Sequence, residues 1–335
     1  MKKTELASIA QALVAPGRGL LAADESFPTI AKRFGEYAIP DTEENRRAYR
    51  DLLFTTPGLA AAISGVILFD ETMGQRTKAG ELFPAELTAR GMIPGIKVDA
   101  GAVDLAGFPG EKITQGLDKL RERLADYRQR GARFTKWRAV VAIGRGLPTD
   151  GAVAANAQLL ALFAALSQEA GLVPIVEPEV LMDGNHAIER CEAVTTRVLE
   201  AVFAALAGQR VVLEEMLLKT GMVLSGADCP VQATAAQVAA ATIRCLRRTV
   251  PAAVPGIVFL SGGQSDEKAT VRLNAICQAD DLPWTVSFSY GRALQTPALK
   301  AWKGRPGRVA AAKAALRHRA QCNRLAALGK YRGRS

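Results

Sequence analysis

Histidine is nearly missing from this 335-residue chain: His186 and His318 are the only two, and they lie far apart in sequence. A histidine-built metal centre is therefore not expected, and no metal or other cofactor is assigned. Cysteine is sparse as well. Cys191, Cys229, Cys245, Cys277 and Cys322 are odd in number and show no CxxC spacing, so they read as the reduced thiols of a cytoplasmic protein rather than a disulfide framework or a zinc site. No run of 18 apolar residues offers a membrane span, and Met1-Lys2-Lys3-Thr4-Glu5 lacks the apolar core of a secretion signal. Nothing low in complexity and no Pro/Gly-rich linker interrupts the chain, which predicts a single domain over 1–335. Acidic residues also stop early. Beyond Asp281 the twelve charged residues are all Lys or Arg, whereas the chain before it sums to −2. Within this segment a helix over about 308–328, packed on or near the rest, carries Lys313, Arg317, Arg319 and Arg324 among alanines. That charge either draws anionic substrates or is a solvated helix face whose cations suit the helix dipole. Because no aromatics interleave with it, nucleic acid is not an expected partner.

What is present is more telling. Five short apolar runs each end on a charged residue: Leu20-Leu21-Ala22-Ala23 on Asp24, Ile93-Pro94-Gly95-Ile96 on Lys97, Ala132-Arg133-Phe134-Thr135 on Lys136, Val173-Pro174-Ile175-Val176 on Glu177, and Glu215-Met216-Leu217-Leu218 on Lys219. Charged side chains are rarely buried unless paired, so one such strand end could be an edge accident, but five point to side chains converging on one place.

Apolar runs at 19–23, 63–69, 93–98, 133–138, 173–177, 212–219, 257–260 and 284–289 alternate with helix-like stretches such as 110–130, 153–170, 189–206 and 233–249. Eight such units predict a (β/α)8 barrel with additional helices at both ends, residues 42–54 forming an extra helix capped by Thr42. An open doubly wound sheet is the alternative, weakened because no Gly-rich dinucleotide fingerprint follows an early strand. In a barrel the C-terminal strand ends share one mouth, which would gather Asp24, Lys97, Lys136, Arg138, Glu177, Glu179 and Lys219. This mixture suits carbonyl chemistry on a phosphorylated substrate. A lysine attacks a ketone as the neutral amine, which burial and a neighbouring cation favour, while carboxylates move protons and the remaining cations hold phosphate. Strand seven runs into Ser261-Gly262-Gly263-Gln264 and strand eight into Ser289-Tyr290-Gly291-Arg292, the two loops that bind phosphate in many barrels.

At these residues the chain closely resembles the class I, Schiff-base fructose-1,6-bisphosphate aldolases. The likeness runs in order through Leu21-Ala22-Ala23-Asp24-Glu25-Ser26, Glu44-Asn45-Arg46-Arg47, Gly95-Ile96-Lys97-Val98-Asp99, Lys136-Trp137-Arg138, Ile175-Val176-Glu177-Pro178-Glu179, Leu217-Leu218-Lys219, Phe259-Leu260-Ser261-Gly262-Gly263-Gln264, Ser287-Phe288-Ser289-Tyr290-Gly291-Arg292 and Gly329-Lys330-Tyr331. The resemblance implies an aldol cleavage giving dihydroxyacetone phosphate and glyceraldehyde 3-phosphate, by a protein that is commonly a homotetramer. It casts Lys219 as the imine former, Glu177 as general acid/base, Asp24 as acceptor of the carbon-four hydroxyl proton, Lys136 as a cation beside both, and Glu179 as orienter of the lysines. Lys97 with Arg138 would hold groups toward the carbon-six phosphate, and Ser261, Gly262, Gly291 and Arg292 the carbon-one phosphate, with Ser26, Thr29, Gly263 and Ser289 as further substrate-binding residues. A different lysine-imine sugar-phosphate aldolase and a polyanion-binding scaffold on the same fold are the alternatives. The chain departs from the family pattern at Phe27-Pro28-Thr29, where Thr-Gly-Ser is usual, and at Thr220-Gly221, where Pro-Asn is usual. It also ends soon after Tyr331, where animal members carry a tail ending in tyrosine; slower enamine protonation is the expectation, read by tritium exchange.

Overall fold

Successive side chains of a strand point to opposite faces, so a strand buried on both sides reads as a continuous apolar run. The computed structural model, which describes residues 4–333, closes the eight runs into a parallel barrel. Its strands are β1 (Gly19–Ala23), β2 (Ile63–Leu68), β3 (Ile93–Lys97), β6 (Phe134–Val141), β7 (Val173–Val180), β8 (Leu217–Thr220), β9 (Gly256–Phe259) and β10 (Thr285–Tyr290), each paired to the next and β10 back to β1. Between β3 and β6 a separate antiparallel hairpin joins β4 (Gly101–Asp104) to β5 (Lys112–Gln115).

The helices are α1 (Glu5–Leu13), α2 (Phe27–Gly35), α3 (Glu43–Phe54), α4 (Asp70–Gly74), α5 (Phe83–Ala89), α6 (Leu120–Gln129), α7 (Asp150–Glu169), α8 (Ile188–Gly208), α9 (Ala235–Thr249), α10 (Asp266–Cys277), α11 (Arg292–Trp302) and α12 (Val309–Ala327). Thr42 caps α3 as expected, its hydroxyl accepting from the Asn45 amide at 3.2 Å. By length and composition α7 is apolar enough to cross a membrane. Half of that window is buried, however, and the helix lies against β6, β7 and α8, the place of a barrel's outer layer.

Two expectations change. The stretch 110–130 is not one helix: it opens with strand β5, and α6 starts only at Leu120. Gly116 explains the break. It sits at φ +129°, and a Cβ there would lie 2.8 Å from the Ala100 amide nitrogen, so the chain turns where only glycine fits. The run 212–219 likewise begins with a 3-10 turn, Leu213–Glu215, before β8.

Two apolar layers hold the barrel. Outside, strand residues such as Trp137 face the helices, its ring stacked on Phe163 of α7 at 5.6 Å. Inside, Leu20, Ala22, Ile67, Phe134, Val173, Ile175, Leu217 and Val258 fill the lower half, and Ala10 and Leu13 of α1, with Val14, plug the bottom. Phe134 fits only because Gly95 faces it; a Cβ there would lie 2.3 Å from the ring. At the other end of the chain α12 packs on α10, α11 and α3. Two of its cations are used internally: Lys313 Nζ donates to Thr55 Oγ1 at 2.7 Å and Arg319 to the Asp266 carbonyl at 2.7 Å.

Candidate active site

On five of the eight strands the inward face continues upward from that apolar plug, two residues at a time, until it meets charge. Leu20 and Ala22 lead to Asp24, Gly95 to Lys97 and Asp99, Phe134 to Lys136 and Arg138, Ile175 to Glu177 and Glu179, and Leu217 to Lys219. Register sets their heights: Lys97 lies opposite Lys136, and Arg138 opposite Glu177. The result is a cavity of about 720 Å³ at the C-terminal mouth, within the usual range of a small-molecule site. Of the predicted residues, Asp24, Ser26, Thr29, Lys97, Lys136, Arg138, Glu177, Glu179, Lys219, Ser261, Gly262, Ser289, Gly291 and Arg292 line it. Gly263 lies just behind: a Cβ on it would stand 3.5 Å from Arg292 Nη2.

The deepest group is a chain of charges. Lys219 Nζ lies 3.1 Å from Glu177 Oε1, and the other oxygen of that carboxylate is 3.5 Å from Lys136 Nζ. Lys136 is closest to Asp24, at 2.7 Å, and reaches Asp99 at 3.7 Å. Lys136, Glu177 and Lys219 are each no more than 4% exposed. Burial alone would raise the Asp24 pKa, but the Lys136 ammonium, helped by Lys219 and Lys97, holds it well below the usual carboxylate range. For Lys136, burial favours the neutral amine, yet Asp24, Glu177 and Asp99 outweigh it and push its pKa above the ordinary lysine value. At rest Lys136 is thus cationic and Asp24 anionic, both beside the Lys219–Glu177 pair.

Asp99 escaped the sequence reading, though its spacing of two from Lys97 puts it on the same strand face. It binds Lys97 Nζ at 2.8 Å and accepts from the backbone amides of Arg138 and Gly101 at 3.3 and 3.2 Å. Glu179 stands elsewhere than expected: its ion pair is with Arg138 rather than with a lysine. Burial works against the Arg138 charge, but Glu179, with help from Glu177 and Asp99, raises its pKa.

Helix α2 supplies a second set that sequence reasoning missed, because no element was expected there. Arg33 is paired to buried Glu25, which also binds Arg50 at 2.6 Å. Gln295 of α11 donates to that Glu25 carboxylate at 2.8 Å and to the Ala22 carbonyl at 2.6 Å, fastening the end of β1. Opposite them the loops after β9 and β10 meet. Gly262 and Gly263 have φ of +54° and +93°, a backbone that glycine permits, and Ser289 presents a buried hydroxyl with no partner among the described residues. Arg292 has no ion pair among the described residues, and Arg33 lies close enough that burial first, then this like charge, lowers the Arg292 pKa. Seven Lys/Arg against six Asp/Glu line the cavity, and Lys32 and Arg292, which have no ion pair among the described residues, are exposed. On the side of α2, the Ser26 and Thr29 hydroxyls lie 3.1 Å apart. Among the described residues no group of His, Cys, Asp and Glu is arranged to hold a metal.

A buried lysine–carboxylate centre under a cation-rich rim, at the C-terminal mouth of a closed parallel barrel, defines a (β/α)8-barrel enzyme acting on anionic substrates. Comparison with known proteins narrows the class. The family model described as "Glycolytic: Fructose-bisphosphate aldolase class-I" matches residues 5–335. A probable fructose-bisphosphate aldolase class 1 of Xanthomonas axonopodis is 56% identical over 99% of this chain and 100% of its own, and the cytosolic fructose-bisphosphate aldolase 5 of Arabidopsis thaliana is 54% identical over 98% and 92%. A solved structure of the Plasmodium falciparum fructose-bisphosphate aldolase, in complex with TRAP and a small-molecule inhibitor, superposes with a TM-score of 0.97 at 51% identity, covering 98% of this chain and 96% of that one. The chain belongs to the class I fructose-bisphosphate aldolase family, and is a lyase of the glycolytic type.

Proposed function

We propose that Lys219 carries the aldol reaction as an imine, with fructose 1,6-bisphosphate as substrate and dihydroxyacetone phosphate and glyceraldehyde 3-phosphate as products. The observation that supports this most is the Lys219–Glu177 contact at 3.1 Å, with cationic Lys136 on the other carboxylate oxygen. Glu177 takes a proton from the Lys219 ammonium, the freed amine adds to the carbon-two ketone, and Glu177 returns the proton so that the carbinolamine loses water. The protonated imine draws the electron pair of the breaking bond between carbons three and four, while the carbon-four hydroxyl gives its proton to Asp24. Lys136 keeps Asp24 in its accepting form and stabilises the developing charge. The three-carbon aldehyde leaves first; the enamine is then protonated at carbon three from solvent, Asp24 returns its proton to solvent, and the imine is hydrolysed, restoring Lys219.

Two phosphates would occupy the two rims. Ser261, Gly262, Ser289, Gly291 and Arg292 suit the one nearer the imine, with Gly263 making room behind Arg292. Ser26, Thr29 and Lys97 suit the distal one. Glu179 acts by holding Arg138 in place rather than by orienting a lysine. We also infer a cytoplasmic homotetramer, in keeping with the family and with the cytosolic aldolases of Arabidopsis. Replacing the nucleophile tests the reading: Lys219→Met should lower kcat for bisphosphate cleavage by about 10⁴-fold or more, since removing a covalent nucleophile leaves only binding and electrostatics. Retention of even a tenth of the activity would overturn it.

A further inference from the structure

Phe27 is out of keeping with its surroundings. It opens α2 at the cavity mouth, followed by Pro28, and leaves 46% of its surface in water although it does not line the cavity. Its ring is nonetheless held on two sides. Phe69, the residue after β2, meets it edge-on with centroids 5.2 Å apart. The Arg46 guanidinium of α3 lies over it, 4.8 Å from the centroid. Arg46 is itself fixed, with Nη2 on Glu71 of α4 at 2.6 Å and Nη1 on Asp41 at 2.8 Å. One exposed ring therefore ties α2 to α3 and to the end of β2, and Arg46 carries the link on to α4. The helix that Phe27 opens lines the cavity with Lys32 and Arg33 of its second turn and with Pro28 and Thr29 of its first. Beside that turn, the Ser26 hydroxyl makes no capping bond to α2 and turns to Thr29 instead.

We propose that Phe27 is a positioning residue, whose clasp between Phe69 and Arg46 pins the first turn of α2 to the barrel and so presets the Ser26–Thr29 hydroxyl pair for the distal phosphate. This rests on the assignment of that phosphate to Ser26, Thr29 and Lys97. Pro28 reinforces the clasp, because its fixed φ removes freedom from the same turn. Preset donors do not have to be ordered by the substrate, so the benefit falls on binding of the bisphosphate and not on the chemistry at Lys219.

Steady-state cleavage of fructose 1,6-bisphosphate and of fructose 1-phosphate, which lacks the distal phosphate, tests this in the full-length protein. For Phe27→Ala, KM for the bisphosphate should rise about 3- to 10-fold, the scale of one exposed cation–aromatic contact. Both kcat values and KM for the monophosphate should stay within about twofold of wild type. Phe27→Tyr keeps the ring and should restore the wild-type KM, whereas Phe27→Leu loses the cation contact and should behave as alanine; it carries the test if the alanine variant folds poorly. Adding Arg46→Met to Phe27→Ala should raise KM no further, because the two act through one contact. An unchanged bisphosphate KM, or an equal rise for both substrates, would overturn the proposal. The phosphate assignment fails separately: Thr29→Val would then leave the bisphosphate KM unaltered.

Discussion

Lys136 is the side chain on which the site's charge balance turns. Three carboxylates surround it, Asp24 at 2.7 Å, Glu177 at 3.5 Å and Asp99 at 3.7 Å; Glu177 is shared with Lys219 and Asp99 with Lys97, while Asp24 pairs with Lys136 alone among the described residues. The directions of the pKa shifts fix the pH range in which the arrangement holds. The depressed Asp24 pKa means that its stabilisation is complete above the ordinary aspartate value of about 3.9 and is lost as pH falls through the folded value. The raised Lys136 pKa means that its share is complete below about 10.4 and is lost as pH rises through the folded value. Between these limits neither group changes state. Asp24→Asn should therefore lower kcat by about 10²–10⁴, as for loss of a proton acceptor, while the stability difference from wild type stays level between pH 5 and 9. Chemical denaturation at several pH values checks this, and a step inside that window would show that one of the pair titrates there.

At the scale of elements, most of the site follows from period two. Asp24, Lys97, Lys136, Glu177 and Lys219 were legible because each breaks an apolar run at a strand end, where no packing role accounts for a charge. Asp99 was not assigned because it lies past the run, in the turn beyond β3, although the same alternation reaches it. Arg33, Glu25 and Gln295 were illegible for a different reason. They meet only when α2 and α11, far apart in the chain, fold over the same strand end, and local pattern carries no record of such pairings. Glu179 shows the limit of the family likeness as well: its height on β7 was legible, but its partner depended on which of several cations stood nearest. Apart from the hairpin and the 3-10 turn before β8, the barrel strands lie where the apolar runs placed them. The fit of Phe134 against Gly95 gives a test at this scale. Gly95→Ala should destabilise the protein by about 1–3 kcal/mol through overpacking, whereas Gly35→Ala, where nothing lies within 4 Å of the added carbon, should cost nothing measurable. Equal thermal midpoints for the two variants would contradict the layered interior.

For the whole molecule, the acid-free C-terminal segment is partly accounted for by the fold, since Lys313 and Arg319 are bound within it. Light scattering should find particles of four times the 35.6 kDa chain mass, as inferred for this family; a monomer active at assay concentration would remove that inference while leaving the chemistry intact. The chemistry has its own direct measurement. Borohydride reduction in the presence of fructose 1,6-bisphosphate and a chelator, followed by peptide mass spectrometry, should fix a three- or six-carbon phosphate adduct on Lys219, with Lys219→Met unlabelled. Folded, substrate-binding protein that yields no adduct, or one that carries it on Lys136 or Lys97, would contradict the assignment of Lys219 as the imine-forming residue.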